Sequence, residues 1–150
     1  MSKNEPAELS TKNGHSRCVL CGEHNPLSLK LGFEAGESGS VRTRFDANRV
    51  LQGYSDILHG GVIAALLDSA MTHCLFHQGI KALTGDLHVR YLHPIPCDAA
   101  LEIQARVEYS RPPLYRLKAE LLKAGQVMAW ASGKFMRQEE LSPALDNRQL

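Results

Sequence analysis

His59-Gly60-Gly61-Val62-Ile63-Ala64-Ala65-Leu66-Leu67-Asp68-Ser69-Ala70-Met71 is an apolar run opened by a histidine and two glycines and broken by one carboxylate. Apolar residues surround Asp68 on every side, which predicts a helix buried all round. Burying an unpaired carboxylate costs several kcal/mol, of the order of the whole stability margin of a small domain. Asp68 therefore needs either a partner or a job. The helix is expected over about 61–77, ending before Gly79. At its start the amides of Gly60 and Gly61 lack intrahelical partners and lie at the positive end of the dipole. Glycine there lets a ligand approach the backbone closely. Such amides suit an oxygen that gains negative charge during a reaction. A glycine turn into a tightly packed helix is the other reading of the same residues. Asp68 is either a general base or nucleophile, or a buried aspartate bonded to backbone or to a hydroxyl such as Ser69 or Thr72.

Around this run the chain reads as strands. Leu27 to Ala35 and Ser40 to Asp46 form an expected pair, with Val41, Thr43 and Phe45 alternating with Arg42 and Arg44. After the helix, Leu83 to Leu92 is one strand, closed by Pro94 and Pro96. Leu101, Ile103, Ala105, Val107 and Tyr109 alternate with Glu102, Gln104, Arg106 and Glu108 in the next. Tyr115, Leu117, Ala119 and Leu121 continue the pattern, Ala124-Gly125 turns the chain, and Val127, Ala129, Ala131, Gly133 and Phe135 line one face of the last strand. Short turns between consecutive strands predict an antiparallel sheet of about five to six strands wrapped around one long helix, an α+β class. The helix side left uncovered calls for a second subunit.

The chain has 150 residues, 43% of them hydrophobic, which suits one domain with a real core. Residues 1–16 read as a flexible arm, 17–137 as the folded domain and 138–150 as a tail. A net charge of +1 leaves no electrostatic footprint for nucleic acid. No apolar run is long enough for a membrane span, and the start lacks a secretory core, so the cytoplasm is the expected compartment.

His59-Gly60-Gly61 with Asp68 nine positions after the histidine resembles the hotdog-fold acyl-CoA thioesterases of the PaaI-like type. Cys18-x-x-Cys21-Gly22, Asn25-Pro26 with Leu27 to Leu31, Gln52-Gly53-Tyr54, Ile57 to Gly61, and Val89-Arg90-Tyr91-Leu92-His93-Pro94 are similar to one branch of that group. The resemblance covers roughly residues 18–136. It implies a hotdog fold and hydrolysis of an acyl-CoA to free acid and coenzyme A. It implies that Asp68 activates water or attacks, and that the Gly60 and Gly61 amides polarise the thioester carbonyl. It gives Gln52 a hold on the thioester or water, Thr84 a water-positioning hydroxyl, and His59 a role in orienting the loop. Arg90, His93 and Arg111, with Arg116, are candidates to meet coenzyme A phosphates. Ser110-Arg111-Pro112-Pro113 departs from the family's glycine-containing turn. No separate cofactor is implied, because the substrate carries the coenzyme. A non-catalytic acyl-CoA-binding protein and a hydratase or dehydratase of related fold are the alternatives.

Gly61 and Asp68 lie seven helical residues apart, roughly 10 Å along the axis. One carbonyl carbon cannot sit about 3 Å from both. Composite sites in a homodimer, or a dimer of dimers, satisfy that geometry and agree with the resemblance.

The four cysteines are not expected to form a disulfide scaffold. Cys18 and Cys21 supply two metal ligands where a structural site takes four, with His15, His24 or a partner chain as conceivable donors. No metal is expected, and the pair reads as small residues in a turn. His73 and His77 share a helix face and read as polar residues favoured at a helix C-terminus.

Overall fold

A computed structural model describes residues 14–138. Most of the expected arm and tail lies outside the described residues. The elements in chain order are β1 (Glu34–Ala35), β2 (Val41–Asp46), α1 (Gly60–Phe76), β3 (Ala82–Tyr91), β4 (Ala100–Arg111), β5 (Leu114–Lys123) and β6 (Gln126–Arg137), with two short 3-10 turns at Glu37–Gly39 and Arg49–Leu51. The strands form one antiparallel sheet in the order β1-β2-β4-β5-β6-β3. β3 therefore ends up beside β6 and forms an edge, although it precedes β4 in sequence.

The period-two pattern read from sequence is the pattern of burial. Leu101, Ile103 and Ala105 of β4, Leu117, Ala119 and Leu121 of β5, and Ala129, Ala131 and Phe135 of β6 face the helix and are buried. Ile63, Leu66, Leu67, Ala70, Met71 and Cys74 of α1 fill the space against them. At Gly133 the helix comes so close that a Cβ would lie 2.7 Å from Phe135 Cε2 and 3.2 Å from Met71. Only a hydrogen fits there.

Four expectations need correction. Leu27–Ala35 is a strand only at its last two residues. Lys30 has a positive φ, and Leu29 and Leu31 donate to Val19 and Leu20 instead of a sheet neighbour. The helix is not buried all round: Gly61, Ala64, Ala65, Asp68 and Thr72 form a less covered stripe. That stripe follows helical spacing, and its small residues leave Asp68 partly accessible. In β6 the register shifts opposite Leu121/Leu122, so Met128 turns inward rather than Val127. His15 and Ser16, assigned by sequence to the arm, belong to the folded body: His15 packs edge-on against Phe76 at 5.2 Å.

Candidate active site

The chain enters the helix through a loop that Gln52 and His59 shape. Gln52 bridges to Leu58, and its Oε1 accepts the Asp56 N–H at 3.1 Å. Its amide oxygen thus holds the loop together. His59 is the N-cap of α1, and its Nδ1 accepts the Gly61 N–H at 2.8 Å. A Cβ on Gly61 would stand 3.0 Å from that nitrogen, so the cap itself favours glycine. The Gly61 amide is consequently occupied within the chain. The Gly60 N–H has no acceptor among the described residues.

Tyr91 adds a contact that sequence reasoning missed. Its hydroxyl donates to the Gly60 carbonyl at 2.7 Å and fixes the helix start to the end of β3. A Cβ on Gly60 would sit at ordinary contact, 3.5 Å from the Tyr91 ring, so packing within the chain does not demand glycine there. A shallow cavity of about 350 Å³ opens beside this point, between Tyr54, Ile57, His59 and Gly60.

Asp68 lies two turns further along. Its Oδ1 accepts a hydrogen bond from Thr84 Oγ1 at 2.6 Å, rather than from Ser69 or Thr72. No cation pairs with it among the described residues. Burial pushes the Asp68 carboxyl above the usual carboxylate range, and the Thr84 hydroxyl offsets part of the rise. The sheet register shifts between Thr84 and Asp86, leaving Gly85 as an extra residue. That bulge keeps Thr84 and Leu87 on the same helix-facing side although they are three residues apart.

Thus Gly60 is pinned near Tyr91 and Asp68 near Thr84, at opposite ends of β3. Eight helical residues separate them, about 12 Å. A single chain cannot present both to one carbonyl.

The candidate phosphate ligands do not converge within one chain. Arg90 lies on the outer face opposite Trp130. His93 follows the strand, its N–H donating to the Met128 carbonyl at 3.1 Å. Arg111 pairs with Leu114, which aligns with Met136 and so with Leu83 at the other end of β3. Six residue pairs of about 3.3 Å separate that level from Arg90. Arg116 stacks over the Tyr109 ring at 4.8 Å.

The Thioesterase superfamily sequence profile matches residues 56–129, which span the helix and both pinning hydrogen bonds. Acyl-coenzyme A thioesterase THEM4 of Rattus norvegicus is 31% identical over 64 residues, 43% of this chain and 27% of that protein. The mouse protein of the same name is 30% identical over the same shares. The chain thus spans about a quarter of the length of these curated relatives. A crystal structure described as a thioesterase superfamily protein superposes with a TM-score of 0.74 at 27% identity, covering 79% of this chain and 62% of that one. The PaaI protein of E. coli, from the phenylacetic acid degradation operon, has a TM-score of 0.68 at 19% identity over 73% of this chain and 80% of its own. A hypothetical thioesterase of Streptococcus pneumoniae, solved with coenzyme A, has a TM-score of 0.68 at 16% identity over 72% and 88%. The chain has the hotdog fold, and its residues 56–129 match the thioesterase superfamily.

Proposed function

We propose that the protein hydrolyses acyl-CoA thioesters to free acid and coenzyme A. The observation that carries this reading is the Asp68 carboxyl, desolvated in an apolar helix, held by one neutral hydroxyl and open along a stripe of small residues. A carboxylate in that setting is a stronger base than one in water. It either takes a proton from water as the water attacks the thioester carbon, or attacks that carbon itself. The Gly60 amide, free and at the helix N-terminus, stabilises the charge that develops on the carbonyl oxygen. The thioesterase superfamily match over residues 56–129 and the similarity to acyl-CoA thioesterases support the same chemistry. His59 is committed through Nδ1 to the helix cap, which leaves it poorly placed as the acid/base partner a hydratase would need.

A homodimer completes the site in this reading. β3 is a ten-residue edge strand with Leu83, Leu87 and Tyr91 exposed, and Leu92 just past its end is exposed too. A long exposed apolar edge is a pairing surface. If two copies join β3 to β3 antiparallel about a two-fold axis, the Tyr91 end of one meets the Thr84 end of the other. That brings the Gly60 amide of one copy toward Asp68 of its partner and resolves the separation within a chain. Arg90 and His93 lie near the same end as Gly60 and are candidates for coenzyme A phosphates.

The test is thiol release from a panel of acyl-CoA esters of different chain length and aromatic character. Turnover well above uncatalysed hydrolysis on some members is expected. Tight binding without thiol release on every member would instead identify a non-catalytic acyl-CoA-binding protein.

A further inference from the structure

The segment before the first strand carries chemistry that thioester hydrolysis leaves unused. It folds back tightly on itself: Cys18 N–H donates to the His15 carbonyl at 3.0 Å, Gly22 N–H to Cys18 at 2.8 Å, and His24 N–H to Ser16 at 2.8 Å. A Cβ on Gly22 would lie 2.5 Å from the Cys18 nitrogen, so only glycine closes this turn. The turn carries His15 and Cys21 to the C-terminal half of α1, where His73 meets them. His15 Nδ1 and Cys21 Sγ are 3.6 Å apart. One donor atom from each of His15, Cys21 and His73 lies within 4.8 Å of the other two.

His73 is the independent sign that something is held here. It is only 6% exposed, and its Nε2 is buried with no hydrogen-bond partner among the described residues. A buried polar atom without a partner calls for an explanation such as an ion. Its ring is fixed by stacking on Phe33 at a centroid distance of 4.3 Å, and the His15 ring is fixed edge-on by Phe76. The Cys18 thiol neighbours Cys21, and its Sγ accepts the Leu20 N–H at 3.3 Å. His24, the other histidine near the cysteines in sequence, stays exposed.

We propose that His15, Cys18, Cys21 and His73 form a structural zinc site that clasps the N-terminal segment to the end of α1. Zinc takes Cys sulfur at about 2.3 Å and His nitrogen at about 2.0–2.1 Å, which spaces tetrahedral donor atoms about 3.3–3.8 Å apart. The His15–Cys21 separation of 3.6 Å is already such an edge. Side-chain shifts of about 1 Å close the rest, and Cys18, whose side chain lies against Cys21, is the candidate for the fourth donor. Two thiolates neutralise the dication, so the buried unit carries no net charge. On binding, each S–H gives its proton to solvent as an S–Zn bond forms, and both imidazoles bind neutral through a nitrogen lone pair, releasing two protons per zinc. Mixed sulfur and nitrogen donors exclude calcium and magnesium. The site lies on the far side of Asp68 from Gly60, and it stands whether or not the protein is a thioesterase.

Untagged full-length protein, purified without chelator, is expected to retain one zinc per chain by elemental mass spectrometry. Cobalt(II) added to the chelator-stripped chain is expected to give thiolate-to-metal charge-transfer bands and intense tetrahedral ligand-field bands, both abolished by zinc. Stripping should also make two further thiols reactive in the folded protein. Cys21→Ser and His73→Ala should weaken zinc binding by on the order of 100-fold or more, and His24→Ala should leave it unchanged. Wild-type protein that neither retains zinc nor gives those cobalt spectra overturns the proposal. So does equal zinc affinity in wild type and Cys21→Ser. The wild-type spectra decide the matter even if a variant fails to fold.

Discussion

Gly60 and Gly61 are adjacent in sequence but are glycine for different reasons. Gly61 makes room for the His59 cap, while nothing in the chain crowds Gly60. Gly61→Ala should therefore lose about 1 kcal/mol of stability by disturbing the cap, visible as a lower urea midpoint. Gly60→Ala should fold with near wild-type stability and lose turnover, because its methyl stands where the thioester approaches the amide. Asp68 carries a pH signature of opposite sense to an ordinary salt-bridged aspartate. Its folded pKa is raised, so its contribution to stability is full below the unfolded value and is lost as pH rises through the folded one. At pH 8 the ionised group is a liability. Asp68→Asn keeps an acceptor for Thr84 and should melt at a higher temperature than wild type at pH 8, with the gap narrowing as pH falls toward about 4. A melting series across that range checks the sign. Asp68 itself was legible in sequence as a charge among apolar neighbours. Its Thr84 partner and the Tyr91 contact to Gly60 join residues 16 and 31 apart, and no local pattern encodes such pairs.

At the scale of elements, alternation made β2, β4 and β5 legible because one face of each is buried and the other is wet. The same rule misread Val127 and could not reveal Gly85, because a bulge adds a residue without changing composition. It also overextended the first strand: Leu27 to Leu31 is apolar enough for a strand, yet those residues pair with the cysteine-bearing turn. His73 reads in sequence as a polar residue favoured at a helix C-terminus, and only the turn folded over it shows that it is buried. Gly133 marks the tightest contact of α1 with the sheet, a demand that sequence does not announce. Gly133→Val should overpack that contact and cost about 1–3 kcal/mol in denaturant unfolding.

Across the whole molecule, one asymmetry organises the rest. One edge of the sheet is the two-residue β1, while at the other β3 leaves a ten-residue edge free and anchors both ends of the candidate site. The separation of Gly60 from Asp68 along one helix turns that edge from a liability into the place where two copies would complete each other. The sequence already contained this separation, since helix rise alone sets it. The sheet order that puts β3 outermost required the three-dimensional pairing. The central claim is that the desolvated carboxyl performs the chemistry within that assembly. The most direct measurement is kcat and acyl-CoA affinity for Asp68→Asn beside wild type, with the mass of the assembly checked in both. The account predicts a loss in kcat of about 10²–10⁴-fold with affinity and assembly preserved. Thiol release within a few-fold of wild type from the folded variant would contradict it.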